Sequence, residues 1–189
     1  MLVICDCDCD GFTSAALLIN YLYDLFPSYV ETGLKWFVHE DKQHGLEDVM
    51  DYINSHDFKL VIVPDAGSND YEYHHQLKER GIDVIILDHH LADETSQYAI
   101  VINNQLCEYE NKELSGVGVV YQFCRFIDEK MKTSFANEYL DLVALGLTGD
   151  MMSLTSIETK HLINKCFEPN NIKNPYIYQM LQKNKFKLG

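Results

Sequence analysis

Short apolar runs alternate with helical stretches through the first half of the chain, and most of the runs end on an aspartate or a histidine. Leu2-Val3-Ile4-Cys5 stops at Asp6, Lys59 to Val63 at Pro64-Asp65, and Ile82 to Leu87 at Asp88-His89-His90. Leu34 to His39 and Tyr98 to Ile102 read as two further strands. Between them, Thr13 to Phe26 carries Ala15, Leu18, Leu22 and Leu25 at helical spacing, with Pro27 as its stop. Leu46 to Ser55 and Asn69 to Arg80 read as helices, the second closed by Gly81. Strands that alternate with helices build a parallel sheet covered on its faces. The expected fold is therefore α/β: a five-stranded, mainly parallel sheet flanked by helices, followed by a helical segment. That segment comprises Gly116 to Lys130, Phe135 to Leu147 and a third helix from Ser156 to Cys166. Glu168-Pro169-Asn170-Asn171 breaks the pattern, and the tail from Lys173 is basic and loosely patterned. Residues 1–165 read as one domain and residues 166–189 as a linker or peripheral tail.

A chain of 189 residues holds one such domain with a sizeable core. Its net charge of −14 argues against a generic nucleic-acid-binding surface. Any reading as a nuclease must meet that objection: bound divalent cations would offset part of the charge, and the rest implies a small substrate or a grip supplied elsewhere. Apolar runs are too short and too often interrupted to span a membrane, and aspartates follow Cys5 where a signal peptide would continue apolar, so the expected setting is cytoplasmic. Cys5, Cys7 and Cys9 alternate with aspartates. Cysteines two apart in an extended chain pair poorly, and the chain lacks the CxxC spacing of a thiolate zinc site.

Acidic and histidine residues stand where ligands gather. In an extended segment Asp6, Asp8 and Asp10 share one side and the cysteines the other. Carboxylates that close repel unless a cation sits among them, and hard oxygen ligands suit Mg²⁺ or Mn²⁺. A calcium loop of the EF-hand kind is excluded, because a strand precedes and Leu17 occupies the twelfth position, where glutamate is required. Asp65 alone would read as a turn former, and His74-His75, mid-helix in a polar stretch, as surface. Asp150, in Gly149-Asp150, ends an apolar helix, at the end of the dipole that disfavours a carboxylate. Parallel sheets bind ligands at the carboxyl ends of their strands, so these groups can converge on one metal centre.

Taken together, Asp6-Cys7-Asp8-Cys9-Asp10-Gly11, Asp65 in Val63-Pro64-Asp65, Asp88-His89-His90 and Gly149-Asp150 resemble, in order and spacing, the motifs of the DHH phosphoesterase superfamily. The resemblance covers roughly residues 1 to 165. Phe12-Thr13-Ser14 after the first motif, and Leu114-Ser115-Gly116-Val117-Gly118-Val119, resemble the branch of RecJ-like single-strand DNA exonucleases. That likeness implies two Mn²⁺ or Mg²⁺ ions bridged by Asp65, with Asp6 at the first and Asp8, His89 and Asp150 at the second. It implies that His90 donates to a phosphate oxygen and that Asp88 orients a neighbour. Asp10 is then a supporting partner or a substitute ligand, because relatives of this branch usually carry a histidine where Ile4 stands. Ser115, Gly116 and Gly118, at a helix start, are candidates to hold a substrate phosphate, as is His44 in the loop after the second strand. The implied reaction is hydrolysis of single-stranded DNA from the 5′ end, in DNA repair or recombination, with single-strand-binding or replication proteins as partners. A DHH enzyme for short oligonucleotides, pAp or cyclic dinucleotides, and a non-catalytic DHH scaffold, are the competing readings. The C-terminal substrate-binding domain that the family normally carries is not expected within these residues.

Overall fold

The structure, a computed structural model, describes residues 1–40, 43–168 and 170–183. Five parallel strands, β1 (Leu2–Cys5), β2 (Lys35–Val38), β3 (Leu60–Pro64), β4 (Asp83–Asp88) and β5 (Ile100–Asn103), form one sheet in the order β2-β1-β3-β4-β5. β1, β3 and β4 lie inside the sheet, and their sequences are correspondingly apolar on both faces. Leu2, Val3, Val61, Val63, Ile86 and Leu87 have no exposed surface at all. Each such side chain contributes roughly 1.5–3 kcal/mol on burial.

Two apolar layers sandwich the sheet. One face packs under α1 (Cys9–Leu25), α5 (Gly116–Met131) and α6 (Leu140–Gly149), through Val3, Leu18, Tyr21, Val120 and Val143. The other packs under α3 (Met50–Asn54) and α4 (Tyr71–Glu79), through Ile4, Ile53, Leu77 and Ile86. α7 (Ile157–Cys166) and α8 (Pro175–Lys183) follow, and Leu162 and Ile177 bury into the first of these layers. The described part of the basic tail is thus a docked helix; residue 169 and residues 184–189 lie outside the described residues.

Three local expectations are corrected. The stretch 6–10 is not extended: Asp8 already caps α1, its Oδ1 accepting from Gly11 N at 2.8 Å, so the helix begins at Cys9 rather than Thr13. Pro27 ends that helix but also opens α2 (Pro27–Gly33), since its ring suits the first helical turn. His74 is fully buried, while its neighbour His75 meets the Tyr98 ring at 4.5 Å.

The strand order reverses between β1 and β3, because β1 runs on to β2 on one side and meets β3 on the other. In open α/β sheets the crevice outside the carboxyl ends at such a reversal is the ligand site. Asp6 and Asp65 follow those two strands directly.

Candidate metal centre

His89 stands at the centre of the rim. Its Nε2 lies 3.2 Å from Asp65 Oδ1, 3.7 Å from Asp150 Oδ2 and 3.8 Å from Asp10 Oδ2. Two sets have ligand atoms within 4.8 Å of one another: Asp65, His89 and His90, and Asp10, His89 and Asp150. Among the described residues, histidines are the only ion-pair partners of Asp10, Asp65, Asp88 and Asp150.

Each side chain is held by a local cause. Asp65 leaves β3 with φ 67°, a left-handed conformation that a residue other than glycine adopts only under constraint. Its Oδ1 is buried without a hydrogen-bond partner. Burial, and then the nearby Asp10 carboxylate, push the Asp65 carboxyl well above the usual range. Helix α5 backs directly onto it: a Cβ on Gly116 would sit 2.2 Å from Asp65 Oδ1, so only glycine fits there.

Asp10 is buried in the first turn of α1 and caps α5. It accepts from Ser115 Oγ at 2.8 Å, Gly116 N at 2.5 Å and Val117 N at 3.2 Å. The expectation that Ser115, Gly116 and Gly118 hold a substrate phosphate is therefore corrected. All three are buried, and the helix terminus already carries its anion, the Asp10 carboxylate.

Asp88 ends β4 and organises the turn after it. Its Oδ1 accepts from His89 N at 2.7 Å, His90 N at 3.1 Å and His90 Nδ1 at 2.8 Å, and its Oδ2 from Ser68 N at 3.0 Å. Burial pushes this carboxyl up, but the hydrogen bonds from His90 and Ser68 outweigh it and hold it below the usual carboxylate range. The same bond raises the proton affinity of His90 and commits its Nδ1. Asn103, at the end of β5, braces the turn by donating to Ser68 Oγ and His90 O, both at 2.8 Å. Ser68 and Asn103 escaped the sequence reading; their only signal there is position just beyond a strand end.

Asp150 caps the C-terminus of α6, half-buried, and burial raises its carboxyl while His89 opposes that shift. Asp6 is half-buried and Asp8 exposed at the same rim; the Asp6 Oδ1 accepts from Cys7 N at 2.7 Å. Neither joins the two tight sets, whereas Asp10 and His90, expected in other roles, do. His44 is exposed and lines a cleft of about 470 Å³ together with Asp88 and His90. No cysteine joins a metal-holding set among the described residues. Burial, followed by the charge of Asp6, drives the Cys5 thiol up to about 12, which disfavours a thiolate.

A buried carboxylate oxygen without a hydrogen-bond partner among further carboxylates and an imidazole, with no lysine or arginine paired to them among the described residues, fits a divalent cation that prefers oxygen and nitrogen donors. The profile of the DHH family, N-terminal domain, matches residues 1–147. The chain belongs to the DHH family. This DHH chain is 38% identical over 182 residues to the putative SPbeta prophage-derived single-strand DNA-specific exonuclease YorK of Bacillus subtilis, covering 96% of the chain and 30% of that protein. It is 31% identical to the single-stranded-DNA-specific exonuclease RecJ of Escherichia coli, over 82% of the chain and 29% of RecJ. The DHH chain thus spans under a third of the length of these curated relatives. Its fold matches a crystal structure of exonuclease RecJ bound to manganese with a TM-score of 0.80, at 21% identity, over 100% of the chain and 48% of that structure. It also matches RecJ of Thermus thermophilus in complex with Mn²⁺, with a TM-score of 0.71 at 23% identity, over 88% of the chain and 24% of that structure. Among the described residues no helix is long and apolar enough to cross a membrane.

Proposed function

We propose that residues 1–165 are the catalytic domain of a metal-dependent phosphodiesterase that degrades single-stranded DNA from its 5′ end. The observation that carries this is His89 Nε2 facing Asp10, Asp65 and Asp150 at the switch-point rim, with no lysine or arginine paired to them among the described residues. The relatives named as single-strand DNA exonucleases support the substrate class.

Asp65, His89 and Asp150 would hold the cations, with Asp10 and His90 within reach and Asp6 and Asp8 at the same rim. Two Mn²⁺ or Mg²⁺ ions, when bound, supply an activated water and the positive charge that a phosphoryl group needs in its transition state. His90 meets a non-bridging phosphate oxygen. Its Nδ1–H is committed to Asp88, and the raised affinity for a second proton makes Nε2–H a donor. Asp88 orients both histidines and thereby fixes where His89 Nε2 points. Asp10 ties α1 to α5 and replaces the histidine missing at Ile4 as an oxygen donor beside His89. His44 contacts the substrate from across the cleft. Residues beyond 165 join this domain to a substrate-binding partner, and the setting is cytoplasmic DNA repair or recombination beside single-strand-binding or replication proteins.

The net charge of −14 favours a second reading, a DHH enzyme for short oligonucleotides or dinucleotides, which needs no extended basic track. A non-catalytic scaffold is disfavoured, since it has no use for a crowded set of unneutralised carboxylates. Purified protein with Mn²⁺ should hydrolyse a 5′-phosphorylated single-stranded oligonucleotide, and chelation should abolish the reaction. Equal rates on a dinucleotide and a long strand would move the assignment to the small-substrate reading. No Mn²⁺-dependent hydrolysis of either would end both.

A further inference from the structure

We propose that His39 and Asp70 are positioning residues that clamp a single peptide unit, Gly45–Leu46, and so present His44 to the substrate at the edge of the metal centre. This rests on the phosphodiesterase reading above. His39 follows β2 and stays in register with the rim, its N–H donating to Cys5 O at 3.0 Å, one residue before Asp6. Its side chain is 3% exposed, and Nε2 lies 2.9 Å from Gly45 O. A carbonyl only accepts, so Nε2 carries the hydrogen. Nδ1 is buried without a hydrogen-bond partner among the described residues. A histidine ring kept at that cost, with Gly45 O as its hydrogen-bond partner among the described residues, is there for the loop it holds.

Asp70 grips the same peptide from the other side. Its Oδ2 accepts from Leu46 N at 2.7 Å. Gly45 adopts φ +75°, and a Cβ there would lie 2.5 Å from Asp70 Oδ2, so both the backbone conformation and the close approach require glycine. Carbonyl and N–H of one peptide unit are thereby tied to side chains rooted beside β1 and in the loop that carries Asp65 and Ser68. His44, the next residue back, is exposed and lines the cleft shared with Asp70, Asp88 and His90. A loop pinned at both polar atoms holds that imidazole in place without ordering it at each turnover.

The test uses the full chain with Mn²⁺ and has two readouts. Amide hydrogen exchange at residues 43–46 should rise about tenfold or more in His39→Ala and in Asp70→Ala, and return toward wild type in Asp70→Asn, whose amide oxygen still accepts from Leu46 N. In hydrolysis of a single-stranded oligonucleotide, His39→Ala and His44→Ala should each raise KM about tenfold with kcat changed less than about threefold, and the double variant should be no worse than His44→Ala alone. Multiplying effects in the double variant, or an unchanged KM beside faster exchange, would overturn the presentation of His44; unchanged exchange in both alanine variants would overturn the clamp. If wild type hydrolyses nothing, the phosphodiesterase reading and the role of His44 fail together, and exchange alone then decides whether the clamp exists. Should His39→Ala not fold, Asp70→Ala and Asp70→Asn carry the comparison.

Discussion

Replacing Asp65 by asparagine should make the metal-free protein more stable and the metal-loaded protein less so. Asp65 is 1% exposed, its Oδ1 has no hydrogen-bond partner among the described residues, and Asp10, Asp8 and Asp88 raise its carboxyl further after burial has done so. A carboxyl raised from 3.8 to beyond neutrality binds a proton in the folded state that the unfolded chain has released near pH 7. That mismatch costs at most about 4 kcal/mol, the interval of about three pH units at 1.36 kcal/mol each. About half of that upper bound, about 2 kcal/mol, is the expected gain from Asp65→Asn. Asparagine also tolerates φ 67°. For a chain of this size the gain is a rise in Tm of roughly 4–8 °C in chelator. The sign with pH follows: folded wild type holds the extra proton from about pH 4 upward, so its metal-free stability falls as pH rises through that window, and the variant's curve is flatter. Mn²⁺ at about 100 times its Kd should stabilise wild type by about 2.7 kcal/mol, and the variant by much less, because the unpartnered oxygen that wants the cation is gone. Hydrolysis should fall by about 100-fold or more. Thermal unfolding in chelator and in Mn²⁺ reads the crossing. A variant less stable than wild type in chelator, or equally stabilised by Mn²⁺, would refute the idea that Asp65 is held for a cation.

Asp88→Asn should lower activity about 10–100-fold, because the turn loses its charged acceptor, and should move the alkaline limb of the pH–rate profile to lower pH as His90 gives up its raised proton affinity; an unshifted limb would separate His90 from that limb. Gly116→Ala should cost about 1–3 kcal/mol by overpacking and weaken Mn²⁺ binding, since the new Cβ strikes Asp65; calorimetry showing wild-type affinity would contradict the contact. His74, buried and lowered from 6.5 to about 4 chiefly by burial, must stay neutral in the folded state. Stability should therefore fall by about 2–3 kcal/mol as pH drops from about 6.5 to 4, a loss that His74→Leu removes; identical acid limbs in denaturant titrations would count against it.

Period and punctuation made the sheet legible before any coordinates. β1, β3 and β4 are apolar runs bounded by acids, and no other element type accommodates runs so short between helices. The DHH motifs were likewise visible as residue types at strand ends. What a linear pattern does not carry is who faces whom. Asp10 looked like the third member of an alternating trio, yet besides facing His89 it caps a helix that begins more than a hundred residues later, and that contact removes Ser115 and Gly116 from the substrate. His74 looked like surface because its neighbours in sequence are polar, but α4 rests on β4 through that very turn. The peptide held between His39 and Asp70 has no sequence signature, because its two grips come from the segments that follow two different strands.

The order of residues along the chain determined which groups reach the carboxyl edge of the sheet, since a strand of given length and a parallel crossover leave no other place for its terminal residue. Only the tertiary structure decided which of them meet. Strand order β2-β1-β3 sets the crevice between Asp6 and Asp65, and close packing of α1 and α6 brings Asp10 and Asp150 to the same imidazole. The physical reason is range: periodicity encodes burial over one or two turns, whereas a ligand set depends on distances of a few ångströms between residues far apart in the chain, and those follow from packing alone.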